Sequence, residues 1–180
     1  MKRRLLASLL LWPWLRVQGN DPWSALTDGA IVLLRHAPAP GYSDPPQFRL
    51  GDCSTQRNLD DHGREQARRL GIAFRARNIR VGAVWSSQWC RCRETADLAF
   101  PGQAREDAVF NSFFEDSGRG PAQTDAARQR LRQWNGPGVL VVVTHQVNIT
   151  ALTGIVPAAG EAVVLHPDRG ELRVVARLPS

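Results

Sequence analysis

The chain has 180 residues, of which 43% are hydrophobic and 22% charged. That length suits one domain of ordinary size and the composition is globular, which excludes wholesale disorder and two separately cored domains. The formal net charge is +6, but Lys2, Arg3, Arg4 and Arg16 stand in the first 19 residues without an acid. The remainder carries 19 basic against 17 acidic residues, a net +2, so charge gives no argument for nucleic-acid binding.

The N-terminus has the pattern of a secretory signal. Met1-Lys2-Arg3-Arg4 is a positive start and Leu5 to Leu15 an apolar stretch. Val17-Gln18-Gly19 then precedes the polar Asn20-Asp21-Pro22. The apolar stretch, about 11 residues long and carrying Pro13, is too short to span a bilayer, which takes roughly 20. The expectation is an export signal over 1–19 and a single domain over 20–180. The protein is then periplasmic or secreted, with no stable membrane insertion once the signal is removed. An oxidising compartment permits a disulfide. There are three cysteines, so at most one intramolecular bridge forms. Cys90 and Cys92 are too close to bridge each other easily, which leaves Cys53 with Cys90 or with Cys92. Four metal ligands at zinc spacing are missing, so no metal site is expected.

In chain order, Ala30–Leu34 is a continuous apolar run, the mark of a strand buried on both faces. Pro38–Pro46 is a loop by composition. Asp60 or Asp61 caps a helix reaching about Arg77, with Gly63, Ala67, Leu70, Gly71 and Phe74 on one face. Val81–Trp85 is a second strand. Ser86 or Ser87 caps the next helix, whose Cys92, Thr95, Ala96 and Ala99 form an inward stripe. A short strand is expected near Ala108–Phe110, a loop over 111–120, and a helix over Gln123–Trp134. Val139–Val143 is the strongest strand, followed by a short helix through Gly154. Ala162–Leu165 and Leu172–Ala176 read as two late strands around the turn Pro167-Asp168-Arg169-Gly170. Alternating strands and helices predict an α/β layered fold with a mostly parallel sheet.

Ligands of such sheets bind beyond the carboxyl ends of the strands. The first strand runs into Arg35-His36-Ala37. The second runs into Ser86-Ser87, with Arg91 in the opening of the next helix, and the third into Thr144-His145. Two guanidinium groups recognise tetrahedral anions by charge-assisted hydrogen bonds, and an imidazole among them can act as nucleophile or donor. These strand ends hold no acidic metal ligands. The chemistry they suggest is metal-free phosphoryl transfer through a histidine.

The residues resemble the histidine phosphatase superfamily, with its phosphoglycerate-mutase-like fold. Arg35-His36-Ala37 resembles the family's Arg-His-Gly. Asn58-Leu59 through Gly63-Arg64 and Gln66-Ala67 resembles its second block. Ser86-Ser87 through Arg91 to Thr95-Ala96 resembles its third, and Val143-Thr144-His145 its fourth. The resemblance implies a three-layer α/β fold with helices on both faces of the sheet. It implies His36 as the nucleophile that becomes phosphohistidine, with Arg35, Arg91 and His145 binding the phosphoryl oxygens. Arg57 is a further candidate phosphate ligand, or a solvated loop arginine. No cofactor is implied. Ala37 departs from the family's glycine, which matters only where the backbone needs a positive φ. Gln146 follows His145 where another branch has aspartate, so the proton donor is sought in the mid-chain loop. Glu115 is the favoured candidate, with Asp116 and, in another register, Ser112 beside it.

The expected function is metal-independent phosphomonoester hydrolysis by an exported enzyme acting on a small phosphorylated substrate. The alternative is a phosphate- or sugar-phosphate-binding protein with little turnover, motivated by the weakly defined acid. A phosphoglycerate-type mutase is disfavoured by export and by the short 111–120 loop, and nucleic acid is not an expected partner. The sequence leaves the oligomeric state and the substrate open.

Overall fold

A computed structural model describes residues 21–180. The expected export signal over 1–19 lies outside the described residues. In chain order come β1 (Ile31–Arg35), α1 (Asp61–Ala76), β2 (Val81–Ser86), α2 (Cys90–Ala99) and β3 (Ala104–Glu106). They are followed by α3 (Gly120–Arg132), β4 (Val139–Thr144), α4 (Gln146–Thr153), β5 (Ala162–Asp168) and β6 (Glu171–Leu178). The described strands make one six-stranded sheet in the order β3-β2-β4-β1-β5-β6. The pairs from β3 to β1 are parallel, whereas β5 joins β1, and β6 joins β5, antiparallel. No helix among the described residues is long and apolar enough to cross a membrane.

β1 and β4 lack polar alternation because both faces of the sheet are covered. Val32 and Leu34 of β1, with Val139, Val141 and Val143 of β4, pack against Phe74 of α1 and Cys92 and Ala96 of α2. The alternate residues Ile31, Leu33, Leu140 and Val142 meet Ala127 and Leu131 of α3 and Ile149 of α4. Period-two alternation thus sorts the strand side chains between two cores, giving the three layers expected of this α/β fold.

α1 begins where Asp60 accepts a 2.7 Å hydrogen bond from the Gly63 N–H. Its small residues serve close approach. A Cβ on Gly63 would stand 2.1 Å from the Pro38 carbonyl oxygen, and one on Gly71 would stand 2.1 Å from that of Ala99, the last residue of α2. The β5–β6 hairpin turns on Arg169 and Gly170, both at positive φ, as expected of a tight hairpin turn.

Three expectations are corrected. Ala108–Phe110 is a 3-10 turn that Asp107 opens by accepting from the Val109 N–H, and the short edge strand is Ala104–Glu106 instead. Neither Ser86 nor Ser87 caps α2. Ser86 stays in β2 because it is paired on both sides, with Val143 and Glu106, and Trp89 is the cap. α3 starts at Gly120 rather than Gln123, because Pro121 fits the first helical turn, where its missing N–H costs nothing.

Candidate active site

The site follows from sheet register. β1 and β4 are parallel neighbours with Arg35 opposite Thr144, so His36 and His145 leave the sheet side by side at its carboxyl edge. The His36 N–H extends the ladder by donating to the Thr144 carbonyl at 3.0 Å. The two imidazoles lie edge to face, with centroids 5.6 Å apart. β2 flanks β4 on its other side, which brings Ser87 Oγ to 2.8 Å from His145 Nε2 and orients that ring. α2 opens three residues later and carries Arg91 inward, where its Nε donates to His36 Nε2 at 3.2 Å.

The hydrogen bonds define the state of His36. Its Nδ1 stands 2.8 Å from the Ala37 carbonyl, which only accepts, so Nδ1 carries the proton. Nε2 faces the Arg91 N–H, which only donates, so Nε2 holds a lone pair. Burial, then the neighbouring Arg91 charge, pushes the His36 pKa down to about 3. The same causes, in the same order, hold His145 well below its ordinary value. Both rings are therefore neutral at pH 7.

The guanidinium groups of Arg35, Arg57 and Arg91, with that of Arg119, line the cleft that holds the histidines. Arg35 Nη1 donates to the Pro157 carbonyl at 2.8 Å, and Arg57 Nη1 to the carbonyls of Ala39 and Gly41. Backbone carbonyls thus anchor these two side chains while their Nε atoms, buried, have no partner among the described residues. Arg57 is part of the cleft wall and not a solvated loop residue. Arg91 is 4% exposed and pairs with Asp44. Arg35, Arg57, Arg91 and Arg119 against the carboxylates of Asp44, Glu115 and Asp116 leave the lining net positive, which suits an anionic phosphoryl group.

The cleft has a volume of about 560 Å³. Ser112, Glu115 and Asp116 lie on its wall together with Arg119. Glu115 and Asp116 are exposed, while Ser112 accepts from the Phe114 N–H at 3.2 Å. All three acid candidates therefore face the same space as His36. Tyr42 and Phe114 meet edge to face at the opening, and Trp89 stacks on Phe48 inside it. Ala37 is buried and is not among the residues at positive φ, so the family's glycine is not needed there.

Cys53 is bonded to Cys90, which ties the segment before Arg57 to the residue before Arg91. Cys92 is free, and burial pushes its thiol pKa up to about 12. Two polar contributors were not singled out in the sequence. Asp44 sits in a proline-rich stretch whose composition signals only a loop. Ser87 reads as a helix cap, yet its hydroxyl contacts His145 and Asn111.

Comparison with known proteins agrees with this fold. The model of the histidine phosphatase superfamily (branch 1) matches residues 31–111. A search of curated proteins gives no match. Among solved structures, the Escherichia coli K-12 protein assigned as an alpha-ribazole-5'-P phosphatase superposes with a TM-score of 0.61 at 18% identity, over 84% of this chain and 96% of that one. The Agrobacterium tumefaciens protein assigned as the phosphohistidine phosphatase SixA gives 0.59 at 20% identity, over 84% and 98%. The protein histidine phosphatase SixA complexed with tungstate gives 0.54 at 15% identity, over 83% and 96%. The matched segment ends before β4, but the sheet register brings His145 back beside His36. The match to the histidine phosphatase superfamily (branch 1) over residues 31–111 and the fold shared with these phosphatase structures make the chain similar to histidine phosphatases.

Proposed function

We propose that this protein is an exported enzyme that hydrolyses small phosphomonoesters through a phosphohistidine intermediate, without a metal. The observation that carries the reading is the unprotonated Nε2 of His36 directed at the guanidinium of Arg91. Nε2 attacks phosphorus, the P–Nε2 bond forms and the P–O bond to the leaving group breaks. The positive charge of the phosphorylated imidazole is eased by its Nδ1–H bond to the Ala37 carbonyl. Arg35, Arg57, Arg91 and His145 hold the phosphoryl oxygens, where the charge is greatest during transfer. Glu115 protonates the leaving oxygen and then takes a proton from the water that cleaves the P–N bond, releasing inorganic phosphate.

Support for a tetrahedral oxyanion comes from the SixA neighbour, which is complexed with tungstate. Support for export comes from the pattern of residues 1–19 and from the Cys53–Cys90 bridge, a bond of oxidising compartments.

The test is hydrolysis of p-nitrophenyl phosphate in the presence of a chelator. His36→Ala is expected to lose more than roughly 10³-fold in kcat, as removal of a nucleophile does. Acid trapping with labelled substrate is expected to place phosphate on His36. Equal turnover by the two proteins would leave the phosphate-binding alternative standing.

A further inference from the structure

The carboxylate of Asp44 is built into the site, and neither the family motifs nor the steps above use it. It is 11% exposed and accepts four hydrogen bonds. Arg91 Nη1 donates to both of its oxygens at 2.8 and 3.1 Å, the Arg57 N–H donates at 3.0 Å and Trp89 Nε1 at 3.0 Å. A guanidinium has a two-pronged edge formed by Nε and Nη2, with Nη1 on the other side of the plane's axis. In Arg91, Nη1 is taken by Asp44 while Nε reaches His36 Nε2. The edge that can grip an oxyanion therefore faces the nucleophile, and the carboxylate holds the side opposite.

The geometry points to Asp44 as a positioning residue for phosphoryl transfer, locking Arg91 so that its Nε–Nη2 edge meets the phosphoryl group on His36. The inference rests on the phosphatase reading and adds to it. The rival role for a carboxylate in an arginine-lined site is a competing anion that substrate must displace. The two roles move the kinetics in opposite ways. Without the Asp44 charge, the cleft attracts a ground-state dianion more strongly in both cases. A loosened Arg91 serves the transition state less well only if Asp44 positions it, because the cost of misalignment falls on the chemical step.

The experiment compares wild type, Asp44→Asn, Asp44→Glu and His36→Ala on p-nitrophenyl phosphate, with inorganic phosphate as competitor. Expected is a fall in kcat of about 10²-fold for Asp44→Asn, with the inhibition constant for phosphate unchanged or lower, and partial recovery of kcat in Asp44→Glu. An unchanged or higher kcat in Asp44→Asn overturns the inference and assigns the competing-anion role. If Asp44→Asn does not fold, Trp89→Phe keeps the carboxylate and removes one donor to it. A several-fold lower kcat at unchanged KM then supports the inference, and an unchanged kcat overturns it. Wild type no faster than His36→Ala removes the phosphatase reading and the Asp44 role together. Wild type faster than His36→Ala beside an unaffected Asp44→Asn removes the Asp44 role alone.

Discussion

At the scale of single residues, protonation decides what the site can do. A free histidine titrates near 6.5, so it would lose nucleophilicity in the range where a phosphomonoester dianion takes up a proton, at about 6. His36 escapes this because burial and Arg91 push its pKa down to about 3. The acid limb of kcat/KM, which reports the free enzyme and free substrate, is then expected to follow the substrate. Phosphate analogues with a lower second pKa are expected to shift the limb down by the same amount. A limb fixed near 6.5 for every substrate would mean that His36 titrates as an exposed imidazole. Glu115 is tested separately. Glu115→Gln is expected to slow esters of poor leaving groups, such as alkyl phosphates, far more than p-nitrophenyl phosphate. Equal slowing would reassign the acid to Asp116 or to the Ser112 register. His36, Arg35, Arg91 and His145 were legible because each follows an apolar strand or opens the next helix, and sheet topology gathers such positions. Asp44 was not legible, because loop composition says nothing about where a lone carboxylate lands.

At the scale of elements, close packing of α1 on α2 fixes where Arg91 stands. Gly71 meets the Ala99 carbonyl so closely that an added Cβ would lie 2.1 Å from the oxygen, and a backbone carbonyl cannot swing aside as a side-chain tip can. Gly71→Ala would gain about 1 kcal/mol of helix propensity. It is expected nevertheless to lose stability by a net of about 1–3 kcal/mol, as overpacking does, read as a lower midpoint in urea. An unchanged or raised midpoint would show that the helices can part without cost. The helices and the long strands were legible from period: β1 and β4 as unbroken apolar runs, α1 from its spaced small residues and Asp60. The misread elements have physical reasons. β3 is three residues long with the sequence Ala-Arg-Glu, and only pairing with β2 makes it a strand. Ser86 is a good cap in isolation, but pairing with strands on both sides outweighs that local preference.

At the scale of the whole molecule, the Cys53–Cys90 bridge and the buried neutral imidazoles tie stability to the chemistry. The bridge spans 37 residues and anchors both arginine-bearing segments. Its loss in Cys53→Ser is expected to cost roughly 2–4 kcal/mol and to lower kcat as Arg57 and Arg91 loosen. Cys92, with its thiol pKa near 12, is a poor substitute partner. Acid acts in one direction on three groups. His36 and His145 have folded pKa values below the unfolded 6.5, so from there downward the unfolded chain binds protons that the folded one refuses. Burial opposes ionisation of Asp44, but its hydrogen bonds from Arg91, Arg57 and Trp89 outweigh this and keep its pKa below 3.8. The stability it contributes is therefore present above that value and lost as pH falls through its folded pKa. Each histidine contributes a slope of up to about 1.4 kcal/mol per pH unit. The urea midpoint is expected to be level above pH 7, to fall steadily from 6.5 and to fall more steeply below 4. The double variant His36→Asn, His145→Asn is expected to flatten the upper part of that fall and to leave the part below 4. A midpoint that stays level between pH 7 and 5 in the wild type would mean that the imidazoles take up protons in the fold as readily as outside it, and His36 would then not stay neutral across that range.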